Sequence, residues 1–278
     1  MKIEGWKYYN HGAIPTTAPH EKINITPIED GSIWEIDGGT PLVVRWTSNF
    51  DCGYETSWWY CIRDGEFDVN TLSKSSGKNI KRGLKNVDCR IIDSKKYSEA
   101  IYKVYYEAYK KYQSADNQMN EETFKKYMDE LPLNVSLWAA FTKTENILVG
   151  WITVAEYPDY VELQIAKFWP EFLKNRVSDA LYASILEYYL NIKKVRYVSS
   201  GTRNINHKTN TQEYKEKHFG YRKAYCELKL AYNPKIKPII FMLYPFRKII
   251  EIFDSISFVH SVNAILKMEQ YRRECKNE

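Results

Sequence analysis

The sequence predicts an α+β fold in which helices flank a central, mostly antiparallel sheet. Apolar runs of strand length alternate with polar spacers, most clearly in "VSLWAAFT" and "ILVGWITVAEY", which "KTEN" separates as a hairpin turn would. Between such runs, apolar residues recur at the spacing of one helical face, as at Tyr97, Ile101, Val104, Tyr105 and Ala108. From Cys89 to Tyr232 the predicted order is therefore strand, two helices, three strands, helix, strand, helix and strand.

Capping residues and prolines indicate where these helices begin and end. Asp93 or Ser94 could cap the first helix, and the second covers residues 121–130. After Pro170, "EFLKNRVSDALYASILEYYL" places apolar side chains on one face of a long amphipathic helix. The last helix, in "TNTQEYKEKHFG", ends at Gly220, because glycine readily adopts the left-handed conformation that terminates helices.

The first third of the chain carries strand signals and one basic segment. "SIWEID" and "TPLVVRW" around "GG" predict a hairpin, and "TSWWYCIRDGEFD" predicts one further strand. Residues 69–87 predict a short exposed helix or a loop followed by a helix, and the basic residues could share one helical face. That face could contact an anionic carrier lipid, a nucleotide or tRNA; a solvated surface is the interpretation we favour. The basic residues are Lys78, Lys81, Arg82 and Lys85.

Composition excludes several classes of protein. The 278 residues are 44% apolar and 27% charged, which is typical of a folded globular protein. Forty Lys and Arg against 35 Asp and Glu leave a net charge of only +5, so the dense basic face of a dedicated nucleic-acid binder is not expected. The five cysteines form no CxxC pair, so neither a zinc site nor a disulfide framework is predicted. The common nucleotide-binding and metalloprotease motifs do not occur.

The amino-terminal sequence bears on the cellular compartment. "MKIEGWKYYNHGAIPTTAPHE" lacks the apolar core of a signal peptide. No apolar run reaches about 18 residues, the length that a membrane-spanning helix needs. We therefore expect a protein of the reducing cytoplasm, either soluble or peripheral at the inner face of the membrane.

The order of elements resembles the GNAT fold of acyltransferases. In GNAT enzymes, backbone N–H groups at the start of the helix after the fourth strand hold the pyrophosphate of coenzyme A. The corresponding segment here is "FLKNRVSDAL", in which the two glycine positions of the GNAT pattern fall on Arg176 and Ser178. The resemblance implies acyl-CoA as a co-substrate, with Arg176 and Ser178 in the binding site, and no metal.

The segments that follow are similar to the FemAB-like, or Fem-type, branch of this superfamily, which acylates cell-envelope precursors. The similarity lies in Pro170, "DALYASI", "VSSG" and "YKEKHFG", covers roughly residues 130–232, and extends more weakly to "GKNIKRGLKNVDCRII". It implies a reduced first GNAT-like half over residues 1–88 and an acyltransferase domain over 89–234. Residues 235–278 would form an amphipathic helical segment.

Acyl transfer needs groups that move protons, and three residues are candidates. Glu156, at a strand end, could be the base, as could Glu162 on the next strand; an exposed strand-end carboxylate is the plainer interpretation of either. His207, in the polar run after "VRYVSS", could act as acid or base near neutral pH, or be an ordinary loop residue. Tyr214 occupies the place where GNAT enzymes have an acidic tyrosine.

The same polar run supplies candidates for ligand binding. Arg203 could clamp a phosphate or carboxylate with two parallel hydrogen bonds. Lys215 follows Tyr214 at the position of the "FK" of Fem-type proteins and could contact a phosphate, although core packing or a solvated helix face is an equal alternative for both residues. Further binding candidates are Gln164, Ser200 and Asn204.

After Pro234 the pattern becomes an apolar helical stripe with basic neighbours. Such a stripe could dock on the sheet or on a second subunit, which we favour, or lie in a membrane interface through residues 238–266. A homodimer is therefore a further hypothesis. The stripe residues are Phe246, Ile249, Ile250, Phe253 and Ile256.

The function predicted from these features is N- or O-acyl transfer onto a sugar or a cell-envelope or polysaccharide precursor, which could be lipid-linked. The donor would be acyl-CoA or another activated acyl compound. The alternative is a non-catalytic GNAT-like scaffold at a membrane-associated assembly, which the substituted glycine positions favour. A third hypothesis is an enzyme that uses aminoacyl-tRNA as its donor; no other nucleic acid is expected as a partner.

Overall fold

The computed structural model describes residues 1–110, 118–205 and 210–275. The strands in this part of the chain are β1 (Trp6–Tyr9), β2 (Gly12–Pro15), β3 (Val43–Ser48), β4 (Trp58–Asp64), β5 (Val87–Ile92), β6 (Val135–Thr142), β7 (Leu148–Glu156), β8 (Tyr160–Phe168), β9 (Tyr197–Thr202) and β10 (Arg222–Tyr232). Its helices are α1 (Thr26–Glu29), α2 (Lys74–Asn86), α3 (Ser98–Tyr109), α4 (Glu121–Asp129), α5 (Val177–Leu186), α6 (Thr211–Phe219), α7 (Lys237–Leu243), α8 (Arg247–Glu251) and α9 (Ser257–Glu274).

The chain forms two compact units. Unit 1 contains residues 1–60, 202–209 and 223–278, and unit 2 contains residues 61–201 and 210–222. Strand β4 begins in unit 1 and ends in unit 2. The division into residues 1–88, 89–234 and 235–278 that the sequence suggested remains a prediction.

Unit 2 is built on strands β9, β8, β7, β6 and β5, in that spatial order. Neighbouring strands are antiparallel except β8 and β9, which are parallel. Helices α3 and α4 cover one face, where Ile101, Phe124, Phe141 and Trp151 form a buried core. Helix α5 packs against β5, β6 and β7. The predicted hairpin of β6 and β7 and the predicted order of elements after Cys89 are confirmed.

Unit 1 combines short strands with the carboxyl-terminal helices. Strands β1 and β2 form an antiparallel hairpin, β2 runs parallel to β3, and β3 is antiparallel to β10, with Val43 opposite Tyr232. One core cluster of this unit includes Trp58, Cys226, Leu228 and Leu266. A second gathers the side chains of Ile3, Trp6, Ala13, Ile33, Ile36 and Val44.

The predicted hairpin around "GG" is wrong. Residues Ser32–Glu35 form a 3₁₀ helix, and β3 pairs with β2 and β10. The Asp30 carboxylate accepts a hydrogen bond from the Ser32 N–H (2.9 Å), which starts a tight turn where a strand was expected. The amino-terminal hairpin lies instead at Asn10 and His11, whose φ angles of 46° and 58° suit a two-residue hairpin turn.

The predicted start of α3 is also wrong. Neither Asp93 nor Ser94 caps the helix, which begins at Ser98. The Asp93 carboxylate accepts from the Lys95 N–H (3.0 Å), and the Ser94 hydroxyl donates to the Met128 carbonyl (3.5 Å). The Asp93 side chain therefore stabilises the turn that precedes the helix, and the Ser94 side chain joins that turn to α4.

The loop-helix alternative for residues 69–87 is confirmed, since a 3₁₀ turn at Val69–Thr71 precedes α2, and one face of α2 is buried. The helix spans 13 residues, Ser73 caps it, and Ile80 is fully buried. Its four basic residues named above are exposed, which agrees with the solvated interpretation. A Cβ atom at Gly83 would lie 2.4 Å from the Arg176 carbonyl and 3.0 Å from the Ala180 Cβ. Glycine is therefore required where α2 crosses the start of α5.

The carboxyl-terminal stripe does not form one helix. Helix α8 ends at Glu251, so Phe253 and Ile256 lie beyond it, in a series of tight turns. Ile240, Leu266 and Met268 pack into the core of unit 1, so part of the segment docks on the sheet as expected. No helix in the described ranges is long and apolar enough to cross a membrane.

The crossing of α2 and α5 can be tested with two glycines of the same helix. Gly83→Ala should lower the free energy of unfolding by about 1–3 kcal/mol, because the new methyl group forces the two backbones apart. Gly77→Ala is the matched control, since its Cβ would approach no atom closer than 3.3 Å. Urea unfolding measures both. Equal effects of the two substitutions would contradict the close crossing.

Candidate functional site

Strands β8 and β9 separate within unit 2. They pair at only three positions, the last joining Glu162 to Ser199, although β8 continues to Phe168 and β9 to Thr202. We call this opening the strand fork. Beyond Glu162 and Ser199, β8 and β9 show no further paired positions.

Helix α6 is attached to the open end of β9. The Lys215 Nζ donates to the Ser200 hydroxyl oxygen (2.5 Å), and the Gln212 Nε2 donates to the Ser200 carbonyl (3.3 Å). Gly201, with a φ of +80°, turns the backbone so that its N–H donates to the Ser199 hydroxyl (3.0 Å). The amine of Lys215 thereby lies at the carboxyl end of β9.

Lys215 is a buried amine with aromatic neighbours. Its side chain is 4% exposed, and its Nζ lies 4.9 Å from the Tyr182 ring centre and 6.0 Å from that of Tyr221. Burial disfavours the charged form and lowers the pKa of Lys215 to about 8. At neutral pH this amine is therefore close to the point at which it exchanges a proton, as a group that catalyses proton transfer needs to be.

Tyr214 connects α6 to the start of α5. Its hydroxyl hydrogen-bonds with Ser178 and Asp179, and Arg176 lies close enough to act on it electrostatically. Burial, the largest effect, raises the pKa of Tyr214 to about 12. The fold thus brings together three predicted site residues: Arg176, Ser178 and Tyr214.

Known proteins share this architecture. The sequence matches no protein-family model and no curated protein. The crystal structure of FemX superposes with a TM-score of 0.59 at 6% identity, over 86% of this chain and 85% of that chain. The structure of L-PGS from Bacillus licheniformis superposes with a TM-score of 0.50 at 11% identity, over 86% and 83% of the two chains. The chain has a GNAT-like, Fem-type fold. The fold predicted from the sequence is confirmed.

The other binding candidates fall in different places of this Fem-type fold. Ser200 contacts Lys215, whereas Gln164 is exposed on β8 beyond the last paired position of the fork. Arg203 and Asn204 belong to unit 1, where the Arg203 guanidinium donates to the Ser57 carbonyl (2.7 Å). His207 lies outside the described residues. The roles assigned to these residues remain predictions.

Glu156, the predicted base, is held by structural partners. Its carboxylate accepts from the Tyr189 hydroxyl (2.7 Å) and from the Ser136 hydroxyl. The Trp138 Nε1 donates in turn to the Tyr189 oxygen (3.4 Å). This network ties β6 and β7 to the π-helical turn Glu187–Ile192 that follows α5. Its catalytic role stays a prediction, but these partners already explain why a carboxylate occupies this position.

The start of α5 departs from the pattern with which GNAT enzymes bind the pyrophosphate of coenzyme A. A phosphate site of this kind needs free backbone N–H groups. Arg176 and Ser178 stand at the two glycine positions of that pattern, and the Ala180 N–H donates to the Arg176 carbonyl (3.1 Å) as the first bond of the helix. Gly83 of α2 lies directly against the Arg176 carbonyl and Ala180. Acyl-CoA as a co-substrate therefore stays a prediction.

Three residues of the site were not among the predicted ones. Tyr182 and Tyr221 enclose the amine of Lys215, and Asp179 bonds the Tyr214 hydroxyl. The resemblance of "DALYASI" to Fem-type proteins signals Tyr182, whereas Asp179 lies outside the matched pattern. No motif in the sequence signals Tyr221.

Burial of Lys215 predicts a pH-dependent stability. Its pKa is about 8 in the folded chain against an ordinary value of 10.5, so charging it below pH 8 costs on the order of 3 kcal/mol. Lys215→Met removes this cost. The stability of the variant relative to wild type should therefore be greatest at neutral pH and fall between pH 8 and 10.5. Urea titrations across this range measure the difference.

The matched control is Lys217→Met, because Lys217 is exposed on the same helix. Its stability difference from wild type should not change with pH. A constant difference for Lys215→Met as well would show that the amine is not desolvated.

Proposed function

We propose that this chain is a transferase that moves an acyl or aminoacyl group onto an amine or hydroxyl at the strand fork. The observation that carries the proposal is the buried amine of Lys215, with a pKa near 8, at the open end of β9. It occupies the position of the Fem-type "FK", and the Fem-type fold supports the comparison.

The proposed chemistry uses Lys215 as the proton carrier. The neutral amine accepts the proton of the attacking amine or hydroxyl while that group forms a bond to the carbonyl carbon of the donor. The tetrahedral intermediate then breaks its bond to the leaving oxygen or sulfur, and the Lys215 ammonium returns the proton to the leaving atom. One group acts as base and then as acid, so the proton balance closes within the site.

The other predicted residues have proposed roles around this amine. Ser200 orients the Lys215 amine through its hydroxyl. Tyr214, the predicted acid, holds α6 against α5 through Ser178 and Asp179. The hydroxyl of Tyr221 is buried and has no hydrogen-bond partner among the described residues, so a substrate oxygen could occupy the free position.

The donor we propose is aminoacyl-tRNA, which is an aminoacyl ester. Acyl-CoA, a thioester, is the second candidate donor. Arg176 and Ser178 stand at the two glycine positions of the GNAT pattern, which weakens the case for a coenzyme A site. The proposed acceptor remains a sugar or cell-envelope or polysaccharide precursor, which the Fem-type resemblance implies. We also propose that the acceptor is lipid-linked and that the protein lies at the inner face of the membrane. A homodimer is a further proposal.

A non-catalytic scaffold is the second candidate function. The observation that favours it is the replacement of both glycines of the GNAT pattern by Arg176 and Ser178, because a GNAT-like shell without a donor site could only bind. The two candidates differ in one respect: a scaffold has no use for a titrating amine in the fork.

Turnover should depend on Lys215 and on pH. We expect the protein to transfer labelled aminoacyl groups from a pool of aminoacyl-tRNA to an extract of cell-envelope precursors. A parallel assay replaces the aminoacyl-tRNA by labelled acetyl-CoA. The value of kcat/KM should rise as pH increases through about 8, because the neutral amine is the active form. Lys215→Met should lower it by about 10²-fold or more.

Lys217→Met is the control, and it should retain wild-type turnover with the same pH profile. Transfer from acetyl-CoA alone would overturn the donor proposal and leave the transferase standing. Undiminished turnover in Lys215→Met would contradict the role of the amine. Absence of transfer from either donor, with the protein folded, would favour the scaffold.

A further inference from the structure

Unit 1 contains a cationic cavity between its carboxyl-terminal helices. The cavity has a volume of ≈ 330 Å³ and lies between α8 and α9. Four cationic side chains and one carboxylate line it, so the charged side chains sum to +3. These are Arg203, Arg247, Lys248, Lys267 and Glu251. A cavity of this size and charge suits a small anion with an organic substituent.

Several of these cations still have N–H groups to offer a ligand. The Glu251 carboxylate forms its ion pair with Lys267 (3.2 Å). Within the described part of the chain, it forms no ion pair with the two arginines or with Lys248. The Arg203 guanidinium stacks 4.1 Å over Tyr271 and uses one nitrogen for the Ser57 carbonyl. Arg247 stacks 4.5 Å over Tyr244, and its Nε is buried with no hydrogen-bond partner within the described ranges. Stacked guanidinium groups with free N–H donors are well suited to phosphate.

Large apolar side chains surround the same basic residues in the sequence. Six of them are between 53% and 77% exposed, although residues of this type are normally buried. We call them the apolar ridge; they are Phe246, Ile249, Ile252, Phe253, Ile256 and Phe258. Arg247 and Lys248 lie between the first two of these residues. Exposed apolar side chains interleaved with cations are the pattern of a surface that lies in a membrane interface.

From the cavity and the ridge together, we infer a binding site for the phosphate headgroup of an anionic membrane lipid. The cavity takes the phosphate through Arg203, Arg247 and Lys248, and the apolar ridge enters the boundary of the acyl chains. A soluble phosphate compound would satisfy the cations but leave the ridge in water. The lipid satisfies both, because its charge and its apolar chains are joined in one molecule.

This site does not depend on the proposed transfer reaction. It lies wholly in unit 1, whereas Lys215 and Ser200 belong to unit 2. Its test measures binding and needs no turnover, so failure of either proposal can be seen separately.

Vesicle flotation tests the inference with the full chain. We expect binding to phosphatidylcholine vesicles that contain phosphatidylglycerol, at least about 10-fold weaker binding to phosphatidylcholine alone, and weakening by salt. Arg247→Gln should reduce binding about fivefold, as expected for one cation near an anionic surface. The double substitution of Ile252 and Phe253 by serine should reduce it roughly 100-fold.

Matched controls lie elsewhere on the chain. Lys126→Gln removes an exposed cation of α4, and the joint replacement of Leu133 and Ile192 by serine removes two other exposed apolar side chains. Each should bind vesicles as wild type does, and circular dichroism should show that every variant is folded.

Three results would overturn the inference. One is equal binding to both kinds of vesicle, and another is an effect of Arg247→Gln no larger than that of Lys126→Gln. The third is calorimetric binding of glycerol 3-phosphate as tight as that of vesicles, which would make the cavity a site for soluble phosphates.

Discussion

The contact on which the candidate site depends is the hydrogen bond between the Lys215 amine and the Ser200 hydroxyl. It joins the middle of α6 to β9 just beyond the point where β8 and β9 cease to pair. The amine is buried among aromatic side chains, so its charge is poorly solvated and its pKa is lowered to about 8. A lysine on an exposed helix face would lack this property. The chemistry proposed for unit 2 thus arises from where α6 is packed.

A second constraint is the close crossing of α2 and α5. Gly83 permits the two helices to touch at Arg176 and Ala180. The same contact lies at the end of α5 that corresponds to the pyrophosphate-binding segment of the GNAT pattern. Arg176 itself adopts a left-handed backbone (φ 63°), a conformation that other residue types adopt far less readily than glycine. A non-glycine residue therefore holds this conformation at the point where the two helices touch.

The two units carry different kinds of surface. In unit 2 the Lys215 amine lies among tyrosine rings and donates to the Ser200 hydroxyl, while the buried Tyr221 hydroxyl has no hydrogen-bond partner among the described residues. In unit 1 the cations line a cavity beside exposed apolar side chains. The buried surroundings in unit 2 lower the pKa of one amine. The cationic cavity in unit 1 attracts anions through its charge. The proposed reaction and the proposed lipid site therefore belong to separate parts of the chain.

The sequence by itself determined the α+β class, the order of elements after Cys89 and the stop of α6 at Gly220, because periodicity and glycine conformation act over a few residues. It also pointed to Ser200 through the polar run after β9, and to Tyr214 and Lys215 through a short resemblance. The pairing of β3 with strands distant in sequence came from the tertiary structure, as did the bond of the Asp93 carboxylate to the Lys95 N–H, the bond of the Ser94 hydroxyl to the Met128 carbonyl, and the approach of Tyr221 to Lys215. The tertiary structure also assigned Arg203 to unit 1 and Ser200 to unit 2, although the two residues are close in sequence. Burial and long-range pairing depend on which segments meet in space, and local spacing carries no information about that.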